Sequence, residues 1–344
     1  MPRRILICSR RDDQHALIVA AALKKCGANA VVWDMQDYPA HQRISLNFSA
    51  AGDIMTVEGL EPGFATRCDA IWLRRIAWDG RACGVAGAPL DLPGLHSAIF
   101  MDRILDLFPR HARWVNFFPN AICAEYKPSQ LRAATVAGFQ VPETLVSNDP
   151  ETIRRFSRSF GESIVAKPLR AEYLKSRDGS MKSLRTEYFS ESLITDDRAL
   201  ELGPYIFQQK IDAAFEVRVT VIGNHVFAAR LDVQGDGGVI DSHYKKCAIE
   251  EFALPAVIEQ SCTRLGARLG LVFFCVDLLV TSDGKFYFLE LNQAGQFLGL
   301  EYAVPSCRCL AAFCALLLGS TEQLDLRLAA VLVSPEYTDM AKRT

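Results

Sequence analysis

The pattern of apolar and polar positions predicts an α/β region at the start of the chain. Short apolar runs favour buried strands, and apolar residues at helical spacing favour a helix between the first two of them. Such a β-α-β start indicates a small α/β domain; because it lacks a G-x-G-x-x-G turn, it does not suggest a dinucleotide site. The predicted elements are strands at 4–9, 30–33 and 70–75, helices at 15–27 and 96–108, and an edge hairpin at 43–57.

Two further patterned regions follow. The middle region predicts helices at 129–138 and 149–160 and strands at 141–146 and 163–168. The last predicts strands at 205–210, 216–222 and 225–233, a helix at 255–270, a hairpin of 271–281 with 285–291, and a helix at 306–318. We therefore expect an N-terminal domain over 1–119, lobes over 120–205 and 206–320, and a tail over 321–344.

Composition narrows the class of protein. The chain has 344 residues, half of them apolar, and a net charge of −2, so no overall basic field attracts nucleic acid. Its 11 cysteines form no C-x-x-C pair, which is typical of reduced thiols rather than a disulfide framework. No stretch approaches the roughly 18–20 apolar residues that span a bilayer, and no signal segment is evident. We expect a cytoplasmic protein that binds neither nucleic acid nor membrane.

The last predicted hairpin carries a candidate metal site. Glu290 and Asn292 are two residues apart on one strand and therefore share a face, and the hairpin can bring Asp277 opposite them. Two carboxylates and an amide oxygen suit Mg²⁺. The alternative is that both carboxylates are edge charges facing solvent, but their strands are strongly apolar, and an unpaired charge there is costly.

Two lysines are candidate phosphate ligands. Lys127 precedes a helix and Lys167 ends a predicted buried strand, where a lysine is unusual. Lys127 taken alone is better explained as a solvated surface lysine, whereas for Lys167 taken alone the two interpretations are equal.

A third signal lies on the strand after Gln209. Glu216 and Arg218 share one face, where a carboxylate can accept from ribose hydroxyls and an arginine can clamp a phosphate. The alternative is an ion pair between strands on a solvated face.

These signals, in this order, resemble the ATP-grasp superfamily, and more narrowly the microviridin-type ATP-grasp peptide maturases (graspetide synthetases), which are related to S6-type glutamate ligases. The resemblance covers most of residues 1–320. The segments that carry it are AIWLRR (70–75), WVNFFPNAICAEYKPSQLRAATVAGFQVPETLVSND (114–149), FQQKIDAAFEVRVTVIGNHVFAARLDVQ (207–234) and LGLVFFCVDLLVTSDGKFYFLELNQAGQFLGLE (269–301).

The resemblance implies an ATP-grasp fold of α+β lobes behind an N-terminal pre-ATP-grasp α/β domain, and a role for each candidate residue. Lys127 and Lys167 would hold phosphates, with Lys167 and Arg218 catalytic, and Glu216 would bind ribose. Adenine would meet a hinge of Gln209, Lys210 and Ile211. The magnesium ligands would be Asp277, Glu290 and Asn292, and the cofactors ATP and Mg²⁺.

The expected substrate is a precursor peptide with a leader and an acidic core, whose Asp or Glu side chains are activated as acyl-phosphates. A Thr, Ser or Lys side chain would then form an ester or an amide. The polar segment 170–191 could cover the site or dock the leader, unless it is only a solvated loop. A homodimer is also among the expectations. Candidate substrate-binding residues are Arg74, Arg75, Arg170, Lys175, Arg177 and Arg230.

The sequence departs from the family pattern in three places. Gln209 replaces a frequent acidic residue, Asp241-Ser242-His243 stands where Asp-Trp-Arg is common, and Gln293 replaces a proline. The glycine-rich phosphate loop of many ATP-grasp enzymes is also missing after Lys167, as it is in the family that the chain resembles. The second departure affects the acceptor site. The alternatives are a carboxylate–amine ligase for a small molecule or protein tail, and a non-catalytic ATP-grasp protein that binds a nucleotide or partner.

Overall fold

A computed structural model describes residues 1–50, 52–75, 92–161, 163–169, 173–175, 181–183, 186–190, 197–232 and 248–342. Contacts divide the chain into two compact units, one of Met1–Phe118 with Gln296–Thr344 and one of Pro119–Gly295. The last segment of the chain thus belongs with the N-terminal residues, whereas the sequence pattern placed its first part in a C-terminal lobe. The predicted boundary between 205 and 206 stays a prediction.

The first unit begins with a parallel sheet, as the apolar runs predict. Among the described residues the strand order is β2-β1-β5-β6, with parallel pairing throughout. The strand predicted at 70–75 ends earlier, so Arg74 and Arg75 follow it. The elements are β1 (Arg4–Cys8), α1 (Gln14–Lys25), β2 (Asn29–Trp33), β3 (Ile44–Ser49), β4 (Gly52–Val57), β5 (Ala70–Leu73), α2 (Leu92–Arg103) and β6 (Arg113–Val115), with short 3₁₀ helices at Met35–Asp37 and Ile104–Leu107.

The second unit contains the remaining strands. Its elements are α3 (Phe118–Ala124), α4 (Lys127–Ala137), β7 (Thr144–Ser147), α5 (Pro150–Ser159), β8 (Ile164–Lys167), β9 (Tyr173–Lys175), β10 (Met181–Ser183), β11 (Glu187–Phe189), α6 (Arg198–Glu201), β12 (Tyr205–Gln209), β13 (Ala213–Ile222), β14 (His225–Leu231), β15 (Ile249–Glu251), α7 (Ala256–Leu269), β16 (Phe273–Thr281) and β17 (Phe286–Asn292). The predicted hairpin of 271–281 with 285–291 is confirmed as β16 and β17, within two residues at each end.

Two antiparallel sheets organise this unit. Among the described residues, one has the order β11-β8-β12-β7 (the central sheet) and the other β15-β14-β13-β16-β17 (the C-terminal sheet). Alternate residues of β13, β16 and β17 form a core with α4 and α7, which pack on the same face of the C-terminal sheet. The other face of β13 and β16 therefore carries the intervening residues.

The C-terminal segment is helical, where the sequence predicted one helix and a tail of weak pattern. Buried Glu301 accepts hydrogen bonds from the N–H groups of Leu310 at 2.6 Å and Leu328 at 3.3 Å, which serves the starts of two helices. The elements are α8 (Leu298–Ala303), α9 (Cys309–Leu318), α10 (Leu328–Leu332) and α11 (Pro335–Ala341). None of the helices within the described residues is both long and apolar enough to cross a membrane.

Candidate active site

The face of the C-terminal sheet away from α4 and α7 brings the charged candidates together. On β13, Val217, Val219 and Val221 enter the core. Glu216 and Arg218 therefore project from the opposite face. Arg218 lies directly opposite Asp277 of β16, and Asp277 lies directly opposite Glu290 of β17. Three neighbouring strands thus present an arginine and two carboxylates in one row.

A β-bulge in β17 decides where Glu290 points. The register passes from Leu278–Phe288 to Asp277–Glu290, so Leu289 is an extra residue without a partner in β16. Phe288 is fully buried in the core. In a regular strand Glu290 would share the face of Phe288, because side chains repeat every two residues. The bulge moves Glu290 and the exposed Asn292 to the opposite face, beside Asp277.

Both carboxylates have cationic partners. Arg218 donates from Nη1 to both oxygens of Asp277 at 2.7 Å, with each side chain about four-fifths buried. Lys127, at the first residue of α4, lies with Nζ 3.1 Å from Glu290 Oε2. Burial by itself raises the pKa of Glu290, but the charges of Lys127, Lys167 and Arg218 outweigh it and hold the pKa below its ordinary value. Glu290 is therefore ionised at neutral pH, as a metal ligand must be.

Lys167 comes from the central sheet and is almost fully buried. Its Nζ donates to Gln208 Oε1 at 2.7 Å, and Gln208 Nε2 in turn donates to Thr144 Oγ1 at 2.9 Å. Because Thr144 holds the amide nitrogen, the amide oxygen faces the lysine. The positive charge of Lys167 also lowers the pKa of Glu290, in addition to the larger effect of Lys127.

The expected adenine hinge begins at Gln209, the last residue of β12. The N–H of Gln209 donates to Glu143 O at 2.8 Å and that of Lys210 to Ser163 O at 3.0 Å. These two hydrogen bonds hold the hinge in place. The hinge would then contact adenine through the carbonyl groups of Gln209 and Lys210 and through the backbone of Ile211. The Lys210 ammonium pairs with Asp212 and lies over a tyrosine ring of β11.

The donor set fits Mg²⁺. Within the described part of the chain, no group of three or more His, Cys, Asp and Glu residues could hold a metal ion. The set here is instead two adjacent carboxylates and the Asn292 amide, all hard oxygen donors of the kind that Mg²⁺ takes together with nucleotide phosphates. Asn292 Oδ1 accepts from the N–H of Ala294 at 3.0 Å, which orients the amide and leaves it a second lone pair.

The predicted substrate-binding arginines have different surroundings. In the first unit, the Arg74 side chain is almost fully buried with Nε 3.3 Å from Asp13 Oδ2, whereas Arg75 is 45% exposed with Nε 3.5 Å from the same oxygen. Of the two, Arg75 is therefore the one accessible to a ligand.

Arg230 does not belong to the active face. It lies opposite Val217, a core-facing residue, and covers the Phe215 ring at 4.2 Å while donating to Asp232 at 2.7 Å. Because Ala229, not Arg230, is opposite Arg218, strand alternation directs Arg230 to the other face of the sheet. Arg230 and Arg218 therefore project from opposite faces of the sheet, and the assignment of Arg230 to substrate binding stays a prediction.

Other candidates lie outside the described residues. These are Arg170, Arg177 and the Asp241-Ser242-His243 segment; Lys175 belongs to β9, of which the backbone alone is described. Sequence reasoning missed Gln130, Gln208 and Thr144, which contact the site's backbone or its lysine. One signal pointed to Gln130, since it lies three residues after Lys127 and therefore on the same side of the helix.

No protein-family model and no curated protein matches this chain. Solved structures do match it. The macrocyclase MdnC of Microcystis aeruginosa MRC, bound with precursor peptide MdnA, has a TM-score of 0.77 at 24% identity over 92% of this chain and 99% of its own. The RiPP-associated ATP-grasp ligase of Chryseobacterium gregarium, in complex with ADP and a leader and core peptide, has a TM-score of 0.75 at 23% identity over 95% and 99%.

The ATP-grasp ligase PsnB, complexed with a minimal precursor, has a TM-score of 0.74 at 25% identity over 94% of this chain and 100% of its own. These likenesses extend over nearly the whole chain in each case. The protein therefore has the ATP-grasp fold, which confirms the predicted fold class, and its structural neighbours include peptide macrocyclases, in agreement with the family resemblance of the sequence.

Proposed function

We propose that this protein is an ATP-dependent macrocyclase of a ribosomally made precursor peptide. The observation that carries the proposal is the row of Arg218, Asp277 and Glu290 on one sheet face, with Lys127 and Lys167 completing the charge cluster. Support also comes from the macrocyclase and ligase structures, which hold precursor peptides, and in two PsnB complexes also Mg and ADP.

In the first step a carboxylate oxygen of a core Asp or Glu attacks the γ-phosphorus of ATP, and ADP leaves. Lys127 and Lys167 hold phosphate oxygens as point cations, and Arg218 clamps the transferred group with its planar fork. Asp277, Glu290 and Asn292 would hold Mg²⁺, which neutralises charge on the phosphates. These residues position groups and stabilise charge, and no covalent enzyme intermediate is needed.

In the second step a Thr or Ser hydroxyl, or a Lys amine, of the same peptide attacks the acyl-phosphate carbonyl. Inorganic phosphate leaves, and an ester or amide closes the ring with the net loss of one water. Arg218 already donates from Nη1 to both oxygens of a carboxylate, Asp277, and an acyl-phosphate offers similar anionic oxygens to the same guanidinium. Arg75, rather than the buried Arg74, is the first-unit arginine we assign to the acidic core of the peptide.

Mass spectrometry tests the proposal directly. The protein is incubated with ATP, Mg²⁺ and candidate precursor peptides that have acidic cores, and each ring closure removes one water mass. Glu290→Gln is the matched inactive control. A product that gains the mass of an added amino acid would instead establish a carboxylate–amine ligase. ATP-independent binding without any mass change would establish a non-catalytic protein. Cytoplasmic location and a homodimer remain predictions.

A further inference from the structure

Gln130 is the fourth residue of α4, three residues after Lys127. Its side chain is almost fully buried, although glutamine is mostly an exposed residue. Residues three apart on a helix project from the same side, so Lys127 and Gln130 both face β17. A buried amide must be hydrogen-bonded to be tolerated, and its partners therefore show what it does.

The Gln130 amide spans three backbone groups. Its Oε1 accepts from the N–H of Leu291 at 3.0 Å, and its Nε2 donates to Leu291 O at 2.8 Å and to Ala124 O at 2.6 Å. Both amide hydrogens and the oxygen are used, which also determines the orientation of the amide. The side chain thus pairs with Leu291 as a neighbouring strand would, and ties it to the end of α3.

Leu291 is the residue between the two candidate ligands of β17, Glu290 and Asn292. Within the described residues β17 is the edge strand of its sheet. On its outer side an isolated bridge joins Tyr287 to Gln140, whose carbonyl accepts from the Phe288 N–H at 2.8 Å. No further strand in this part of the chain pairs with Leu291, so its outward N–H and C=O groups need another partner. The bulge at Leu289 also interrupts the ladder on the inner side, one residue before Glu290. An edge strand with a bulge is weakly restrained, and Gln130 supplies the restraint at this position.

Two links therefore join one helical turn to two consecutive strand residues. Lys127 pairs with Glu290 at 3.1 Å, and Gln130 binds Leu291 through two hydrogen bonds. We propose that Gln130 is a positioning residue, which sets the distance between the phosphate-binding Lys127 and the metal ligands Glu290 and Asn292. This inference rests on the proposed function, because it assigns Gln130 a part in binding magnesium nucleotide.

Mg²⁺ makes the consequence measurable. It demands near-ideal octahedral geometry, so a small displacement of two ligands weakens its binding more than it weakens a contact to phosphate alone. Loss of residues that orient metal ligands typically reduces metal affinity about 10–100-fold. Loss of Gln130 should therefore raise the Mg²⁺ concentration needed for nucleotide binding, while metal-free nucleotide affinity changes little.

Gln130→Met removes the three hydrogen bonds while keeping side-chain length and volume. Gln42→Met is a matched control: Gln42 is also buried, accepts from Trp33 Nε1 at 2.7 Å and donates to Glu58 O at 2.9 Å, but belongs to the first unit. Both variants lose buried amide hydrogen bonds, so both should melt at a lower temperature. If Gln130 had a purely structural role, Gln130→Met and Gln42→Met would have the same Mg²⁺ dependence of nucleotide binding.

The experiment combines calorimetry of ADP binding, as a function of Mg²⁺, with amide hydrogen exchange. For Gln130→Met we expect at least an approximately tenfold higher half-saturating Mg²⁺ concentration, near-normal ADP affinity in EDTA, and faster exchange at Leu291. Gln42→Met should match wild type in all three. If Gln130→Met retains wild-type Mg²⁺ dependence and protection at Leu291, the inference is wrong.

Gln130→Glu provides a second variant if the methionine variant does not fold. It keeps an acceptor for the Leu291 N–H but loses both donors, so the Mg²⁺ requirement should again rise; an unchanged requirement would contradict the positioning role. The hydrogen-exchange result is independent of peptide chemistry. If wild type binds Mg²⁺ and ADP yet never dehydrates the precursor peptide, the proposed function fails while the assignment of Gln130 stands.

Discussion

Asp277→Asn tests the centre of the candidate site. Asp277 accepts two hydrogen bonds from Arg218 at 2.7 Å and lies directly opposite Glu290. The substitution keeps the shape of the side chain and one acceptor but removes the negative charge. It therefore changes two opposing terms, the attraction of Arg218 and the repulsion of Glu290, and also the charge of a proposed Mg²⁺ ligand.

The two terms nearly cancel without metal. Both hydrogen bonds come from one nitrogen, Arg218 Nη1, so together they count as one charge-assisted interaction. Such an interaction contributes about 1.5–3 kcal/mol, and the neutral amide retains about half, so roughly 0.8–1.5 kcal/mol is lost. Like charges about 5 Å apart repel by roughly 3 kcal/mol at an effective dielectric constant of about 20, and Lys127 already offsets part of this repulsion. The net change should be about 1 kcal/mol or less, or roughly 2–4 °C in Tm for a unit of this size.

In the presence of ligand, wild type and Asp277→Asn should differ in Tm. A nucleotide–Mg²⁺ complex at about a hundred times its Kd stabilises wild type by about 2.7 kcal/mol, which corresponds to roughly 5–11 °C. Asp277→Asn should show no such shift at the same concentrations, and no turnover. Differential scanning fluorimetry with and without ADP and Mg²⁺ measures both. Asp283→Asn, in the turn of the same hairpin, is the control, because its exposed ion pair with Lys285 lies away from the active face.

Two results would refute this reasoning. A ligand-induced shift of wild-type size in Asp277→Asn would exclude Asp277 as a metal ligand. A fall in Tm of more than about 10 °C without ligand would mean that the Arg218 pair dominates and that the repulsion from Glu290 is negligible.

Three further predictions follow from the same contacts. Lys167→Ala should weaken ATP binding and ring formation together, because the variant lacks the buried ammonium group that would contact the phosphates. Unchanged ATP affinity in calorimetry would contradict this role of Lys167. Arg218→Lys should lower kcat more than it raises KM for ATP, because lysine lacks the planar fork, and an effect on KM alone would assign it to ground-state binding. Burial, with nearby Arg74, lowers the pKa of His15 to about 4, so its contribution to stability, at most about 3 kcal/mol, should be complete above about pH 6.5 and lost as pH falls towards 4. The pH dependence of thermal melts should flatten in His15→Gln, and an identical slope would exclude His15 as its source.

Much of the site could be predicted because strand periodicity is a local property. Residues two apart share a face in any regular strand, so Glu216 with Arg218 follows from spacing alone. The turn at Ser282-Asp283-Gly284 determines that β16 and β17 pair as a hairpin, whereas the bulge at Leu289 brings Asp277 directly opposite Glu290. The apolar character of the flanking residues also determined that these charges would need partners.

The bulge, the burial of particular arginines and the C-terminal helices could not be predicted in this way. Arg74 and Arg75 are adjacent and chemically identical, yet Asp13 and the surrounding sheet bury the first alone. Arg230 resembled a site arginine until its register with Val217 placed it on the other face. Helices α10 and α11 have weak sequence patterns, and their stability depends on packing with distant segments. Distant Glu301 also caps α10, whereas nearby Ser334 caps α11.

The sequence by itself determined the residue types, the faces they share within each strand, and the chemistry that a set of lysines, an arginine and hard oxygen ligands can perform. Tertiary structure alone decided how the strands pair and where one extra residue turns Glu290 away from the core. It also decided that α4, through Gln130, binds β17. The physical reason is that periodicity acts between neighbours in the chain. Register, burial and contacts such as that of Gln130 with Leu291, 161 positions apart, depend on the free energy of the whole unit.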